Sequence, residues 1–312
     1  MALIAGPTAS GKSDLAVRLG QLLAQGGRRG VVINADSQQV YRDLAVLSAR
    51  PSEAEMGGVE HRLFGTWDGA QACSAADWAE AARGEIAQLH AEGAVPILCG
   101  GTGLYLRTLL DGIAPVPEID PTVRTAVRNL STYELRECIA EEDPEAAARL
   151  GHHDIQRMAR ALEVARSTGH PLAYWQQRKV GGIGEHVQLH PLILLPDRTW
   201  LYERCDLRFE RMLRGGAVAE VQRLMERRLD PSLPVMRAIG VPEIVDFIRS
   251  GGLGAIDSHV RAEGQAATRQ YAKRQYTWFR HQPPADWPRI EDPLASGTLE
   301  GLVAGLAGSV SV

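Results

Sequence analysis

Aromatic residues make up only 5% of the 312-residue chain, so a core must be built mainly from Leu, Val, Ile and Ala. Cysteine is equally sparse. Cys73, Cys99, Cys138 and Cys205 stand far apart and form no C-x-x-C pair, which speaks against structural zinc and against a disulfide framework. They read as isolated thiols of a reducing compartment. No apolar run reaches the ~18 residues needed to cross a bilayer, and the first residues read as a strand rather than as a signal peptide. A cytoplasmic protein with no membrane contact is the expectation. There is no basic excess either: the formal net charge is −4, which excludes a wholesale nucleic-acid coat but permits local basic surfaces. With 45% hydrophobic residues, the chain can bury a substantial core as one domain with an insertion, or as two domains.

What is present begins at residue 6. Gly6-Pro7-Thr8-Ala9-Ser10-Gly11-Lys12-Ser13 matches the G-x-x-x-x-G-K-[ST] pattern in full. The glycines let the backbone curl so that successive N–H groups point inward at phosphate oxygens. Lys12 adds a mobile positive charge, and the Ser13 hydroxyl is placed to hold Mg²⁺. Ala2-Leu3-Ile4-Ala5 reads as a short buried strand before the loop; Leu15, Leu19, Leu22 and Leu23 give a helix face after it. Strand, glycine loop and helix N-terminus together make an anion site. The motif says that a phosphate binds, and leaves open whether it belongs to ATP.

Two further apolar runs, Val31 to Ala35 and Ala94 to Cys99, are separated by a helical pattern over Asp77 to Leu89, and a fourth run covers Leu189 to Leu195. Continuous apolar strands alternating with helices predict a parallel sheet covered on both faces. The expected fold is α/β, a P-loop NTPase-like parallel sheet with a helical insertion domain. Residues 1–115 and 186–312 would form the catalytic core and 116–185 the insertion. Ligands of such sheets sit beyond the carboxyl ends of the strands. The loop at 6–13, Asp36-Ser37 and Gly100 to Thr102 all fall there. Beyond Asp197 the chain reads as one long helix from about 199 to 228, then helices near 242–250 and 258–281, and a weakly patterned tail from Pro293.

Asp36 follows its strand directly and could accept a proton from a bound acceptor, reach Mg²⁺ indirectly, or simply cap a helix. Thr102, opposite the phosphate loop, is either a hydroxyl contact to phosphate or acceptor, or a plain turn residue. No acid follows the third strand, which argues against an ATP-hydrolysing motor or switch. Arg204 and Arg208, one turn apart, are candidate pyrophosphate ligands; the remaining charges of 198–228, Glu220 among them, read as ordinary i,i+4 pairing. Gln156-Arg157-Met158-Ala159-Arg160 places two arginines on one side of a helix. Residues 269–280 hold Arg269, Lys273, Arg274 and Arg280 without an acid, interleaved with Tyr271, Tyr276, Trp278 and Phe279. Arginines with aromatics suit RNA, through phosphate contacts and stacking.

In order along residues 2 to 281, the phosphate loop, Asp36 to Tyr41, His61 to Leu63, Ser74 to Trp78, Gly100 to Tyr105, Asp154 to Val164, Arg237 to Gly240 and Thr268 to Trp278 resemble the tRNA dimethylallyltransferases of bacterial type. After Gly240 that family often has Tyr-Arg where this chain has Val241-Pro242. The resemblance implies transfer of a dimethylallyl group from dimethylallyl diphosphate to the exocyclic amine of the adenine 3′ to the anticodon. Lys12, the loop N–H groups and Mg²⁺ would clamp the departing diphosphate, with Asp36 and Thr102 on the acceptor side. It further implies tRNA contacts from Asp36, Ser37, Gln38, Gln39, Thr102, Arg124 and Gln156 to Arg160, with Lys273 and Arg274 adding charge, the insertion gripping the anticodon stem-loop, and a monomeric enzyme. A small-molecule kinase, with ATP in the loop and Asp36 activating a hydroxyl, is the alternative.

Overall fold

A computed structural model describes residues 1–251, 258–293 and 296–310. The chain divides into two compact units, Met1–Arg107 with Gly184–Val312, and Thr108–Ile183.

The first unit is organised by six parallel strands: β1 Ala2–Ala5, β2 Gly30–Asn34, β3 Glu60–Arg62, β4 Val95–Gly100, β5 His190–Leu194 and β6 Arg289–Ile290. Their order across the sheet is β3-β2-β4-β1-β5-β6. Every residue of β1, β2 and β4 is buried, as continuous apolar strands covered on both faces must be. Helices α1 Lys12–Gln25, α2 Glu53–Met56, α3 Ala75–Ala91 and α4 Gly103–Asp111 belong to the crossovers. Register places Ala5 beside Gly100, and Asn34 beside Cys99. The three polar signals that follow those strands are thereby brought to one rim.

Helices α5 Pro121–Arg128, α6 Thr132–Glu142, α7 Pro144–Arg149, α8 Ile155–Thr168 and α9 Leu172–Gln176 form the second unit. Its starts are written in the sequence. Asp120 and Asp143 each precede a proline at the first helical turn and accept a backbone N–H, and Ser131 with Glu134 makes a capping box. Val127, Leu135, Ile139, Met158, Ala159 and Leu162 fill its core.

The remaining helices return to the first unit: α10 Arg198–Arg214, α11 Ala217–Glu226, α12 Val241–Arg249, α13 Ser258–His281 and α14 Ser296–Ser309. The segment expected as one helix over 199–228 is thus two. Gly216 takes φ 101° at the break, a conformation in which glycine carries no steric penalty. The tail is not weakly patterned either. Leu299, Val303 and Leu306, at helical spacing, share a buried cluster with Leu15, Leu19 and Leu23 of α1. The short edge strands β3 and β6 have no apolar run that the sequence could display.

Candidate active site

The loop after β1 curls as its glycines require. Gly6 has φ 155°, and a Cβ there would lie 2.6 Å from the Leu194 carbonyl oxygen; Gly11 has φ 96°. Ala9, with φ 62°, holds the same left-handed conformation without being glycine, a strained geometry that ligand-binding loops often carry. Arg204 Nε donates to the Ala9 carbonyl at 3.0 Å, so this candidate diphosphate ligand braces the loop, while its guanidinium lies over the Trp200 ring.

Lys12 opens α1, is buried, and donates from Nζ to the Pro7 carbonyl at 3.2 Å. Burial pushes its pKa down, and the charge of Asp36 pulls it partly back. Arg208 is perturbed the same way, lowered by burial and supported by Asp36. Two cations and one carboxylate therefore share a poorly solvated space. In the loop itself, Ser10 Oγ is buried with no hydrogen-bond partner. A buried polar atom left unsatisfied is costly unless a ligand meets it, and a phosphate oxygen answers that need.

Asp36 is also buried. Its N–H donates to Asn34 Oδ1 at 2.8 Å, and its Oδ1 accepts from Gln38 N at 3.0 Å. No helix follows, so it closes a short Asx turn instead of capping a helix. Among the described residues, no donor of the protein occupies its second oxygen. Thr102 Oγ1 accepts from Ser37 N at 2.8 Å and donates to Ser37 Oγ at 3.2 Å. It thereby locks the turn after β2 to the turn after β4.

Helix α13 supplies groups that sequence reasoning treated only as part of a basic-aromatic face. Thr268, Tyr271 and Gln275 fall on one side of it at helical spacing. Gln275 is buried, accepts from Thr8 N at 2.8 Å, and donates to the Gly101 carbonyl at 2.8 Å. A Cβ on Gly101 would stand 2.3 Å from its Nε2, which explains the glycine. Tyr271 lies close to Thr102 and Ser37, and burial raises its pKa. Thr8, Asp36, Gln38, Arg208, Thr268 and Tyr271 line the polar side of a cleft, and Leu47, Phe209, Met212 and Ile239 its apolar side. An anion cradle, a buried carboxylate and an apolar wall in one cleft suit a donor that is phosphorylated at one end and hydrocarbon at the other.

The donor set also bears on magnesium. Ser13 is exposed in the first turn of α1, near the buried Cys99 thiol, whose pKa burial pushes up to about 11. Among the described residues no three His, Cys, Asp or Glu side chains gather as metal ligands. Mg²⁺ commonly keeps several waters and takes much of its coordination from substrate phosphates. One hydroxyl beside a phosphate cradle fits a cation of that kind, not a protein cage.

Not every expected contact residue faces outward. Gln39 is buried and donates from Nε2 to the carbonyls of Ser48 and Ala49 at 3.0 and 2.9 Å, so it braces that segment and has no amide hydrogen left for RNA. In the second unit, Met158 and Ala159 are core residues, because α8 packs that side against α5 and α6. Gln156, Arg157 and Arg124 are exposed and Arg160 is half-buried. Arg128 pairs with the buried Glu163 at 2.6 Å, and Arg160 lies 3.9 Å from the same carboxylate. One acid thus serves two arginines, and the patch stays net positive. Lys273 and Arg274 are exposed on α13, with Arg274 against the Tyr271 ring. Val241, at the position after Gly240 where the family often has Tyr, is fully buried at the start of α12.

A family model described as IPP transferase matches residues 39–282; the cradle and Asp36 lie just before that span. A tRNA dimethylallyltransferase of Erythrobacter litoralis is 65% identical over 292 residues, covering 93% of this chain and 91% of the relative. The corresponding protein of Sphingopyxis alaskensis is 60% identical over 310 residues and covers 99% of both chains. Among solved structures, the full-length tRNA isopentenylpyrophosphate transferase of Bacillus halodurans is similar with a TM-score of 0.70 and 28% identity, covering 99% of this chain and 96% of that one. A eukaryotic dimethylallyltransferase acting on tRNA is similar with a TM-score of 0.73 and 25% identity, over 89% and 69% of the two chains.

Proposed function

Because this chain belongs to the IPP transferase family, we propose that it transfers a dimethylallyl group from dimethylallyl diphosphate to the exocyclic amine of the adenine 3′ to the anticodon of tRNA. The observation that carries this reading is the cleft lined by Asp36 and Arg208 with an apolar wall opposite, Asp36 also interacting with the buried Lys12 of the adjoining loop, where the Ser10 hydroxyl stands without a partner.

The diphosphate lies in the loop of Gly6 to Ser13, against the N–H groups at the start of α1 and the charges of Lys12 and Arg208. As the allylic C–O bond breaks, its electron pair passes to the diphosphate, and these groups stabilise the growing negative charge. The Ser13 hydroxyl beside the loop would hold Mg²⁺, and the ion would supply Lewis-acid stabilisation of that same charge. The adenine amine forms the new C–N bond. Its lone pair is delocalised into the ring, so it needs a base: the free oxygen of Asp36 takes the proton that the amine loses. Thr102, tied to Ser37, holds the acceptor side in place. A stacked adenine cannot reach a recessed carboxylate, so the base enters flipped out of the loop.

The arginines of the helical unit, Arg124, Arg157 and Arg160, with Lys273 and Arg274 of α13, hold tRNA phosphates. We place the enzyme in the cytoplasm as a monomer, a setting that agrees with unpaired thiols at all four cysteines. The relatives favour this transfer over a kinase reaction. Asp36→Ala should lower single-turnover transfer by about 10²–10⁴-fold while tRNA affinity is unchanged, read from the mass of digested tRNA nucleosides. A loss under tenfold removes Asp36 from the role of base.

A further inference from the structure

Glu220 reads in sequence as one more charge of a salt-bridged helix, and the structure gives it a different use. Its side chain is buried at 3% exposure, and among the described residues no cation pairs with it. Instead its two oxygens accept three consecutive backbone N–H groups: Ala45 at 2.6 Å and Val46 at 2.8 Å on Oε1, and Leu47 at 2.9 Å on Oε2. The carboxylate of α11 thus fills a concave run of amides in the segment that follows the Asp36 turn. That segment is held on its other side by Gln39, whose amide donates to Ser48 and Ala49. Its Leu47 and Ser48 line the cleft beside Asp36 and Arg208.

We infer that Glu220 is a positioning residue of the active cleft: by seating the amides of residues 45–47 it fixes Leu47 as the wall against the hydrocarbon end of the donor. The inference rests on the transferase reading above for its kinetic consequence, but its structural half does not. Leu47 is packed tightly from behind, since a Cβ on Gly240 would lie 2.7 Å from its Cδ2. With both Glu220 and Gly240 in place, the side chain has one place to stand. Loss of the latch lets it retreat and widens the space where the allylic chain must lie.

The test is Glu220→Gln. Glutamine keeps one acceptor oxygen for Ala45 and Val46 and turns an NH₂ against the Leu47 N–H, so the disturbance falls on Leu47. Hydrogen exchange of the peptide holding residues 45–47 should accelerate in E220Q more than exchange elsewhere. With dimethylallyl diphosphate, kcat/KM should drop about tenfold, in line with loss of a hydrogen bond to a charged group, mainly through KM for the diphosphate. The KM for tRNA should stay put. The preference for a five-carbon over a ten-carbon allylic diphosphate should narrow. Leu47→Ala should give the same signature, and the double variant should be no worse than the single ones, because both act through one contact. Uniform acceleration of exchange with a lowered Tm, or additive effects of the two substitutions, would reduce Glu220 to a stability anchor and overturn the inference. A wild-type protein without transferase activity strikes the reading of the preceding subsection instead, and the exchange experiment still decides whether the latch exists.

Discussion

Replacing Gln275 by leucine keeps the volume of the side chain and deletes both of its hydrogen bonds. In the native protein its amide joins the phosphate loop, at Thr8 N, to the end of β4, at the Gly101 carbonyl. Each buried partner left unsatisfied costs about 1–3 kcal/mol, so the pair carries about 2–6 kcal/mol. Part of that cost relaxes as the loop loosens and water enters. If the loop must then be ordered by the ligand, the low end of the range, about 2 kcal/mol, appears as a roughly 30-fold weaker diphosphate affinity at 1.4 kcal/mol per tenfold. Isothermal calorimetry with inorganic diphosphate and Mg²⁺ measures it directly. Gln275→Glu separates the two bonds. It can still accept from Thr8 N, but it cannot donate to Gly101, and it sets a negative charge beside the anion. It should bind worse than Gln275→Leu. A dissociation constant within twofold of wild type in Gln275→Leu would refute the claim that α13 fastens the cradle.

Two more outcomes follow from the same geometry. Burial lowers the Lys12 pKa below its ordinary 10.5, so the free protein sheds this proton earlier than the unfolded chain does, and this group's contribution to stability rises with pH between the two values. An anion in the cradle pulls the pKa back up, so diphosphate binding takes up a proton in that window. Affinity should weaken as pH rises through it, with a slope absent from Lys12→Met; a flat wild-type profile contradicts the placement. In the tail, Leu299→Ala empties a buried site against α1 and should cost about 2–5 kcal/mol, seen as a lower urea midpoint with KM unchanged; an unchanged midpoint would mean that α14 does not belong to the core.

The parts of the fold visible in the sequence are those whose signal is local. β1, β2, β4 and β5 are apolar runs, and the cradle is a contiguous motif. Asp36 and Thr102 follow directly from strand ends. What stayed hidden depends on partners far apart in the chain. Thr8 and Gln275 are 267 positions apart, so nothing near either residue announces their bond. Glu220 looks like its charged neighbours until the segment at 45–47 is folded over it. Gln39, Met158 and Ala159 sit inside motifs read as RNA contacts, and burial alone separates them from their exposed neighbours. The break at Gly215-Gly216 and the Leu299, Val303, Leu306 spacing were legible, but two glycines inside a charged stretch and a Gly-rich tail masked them.

The central claim is that the glycine loop holds a leaving group and not a nucleotide. Its most direct test counts diphosphate released against dimethylallyl groups joined to tRNA, with Mg²⁺ present and ATP left out. One diphosphate per modified adenine is the predicted result. A dependence on ATP, or release of single phosphate, would contradict it.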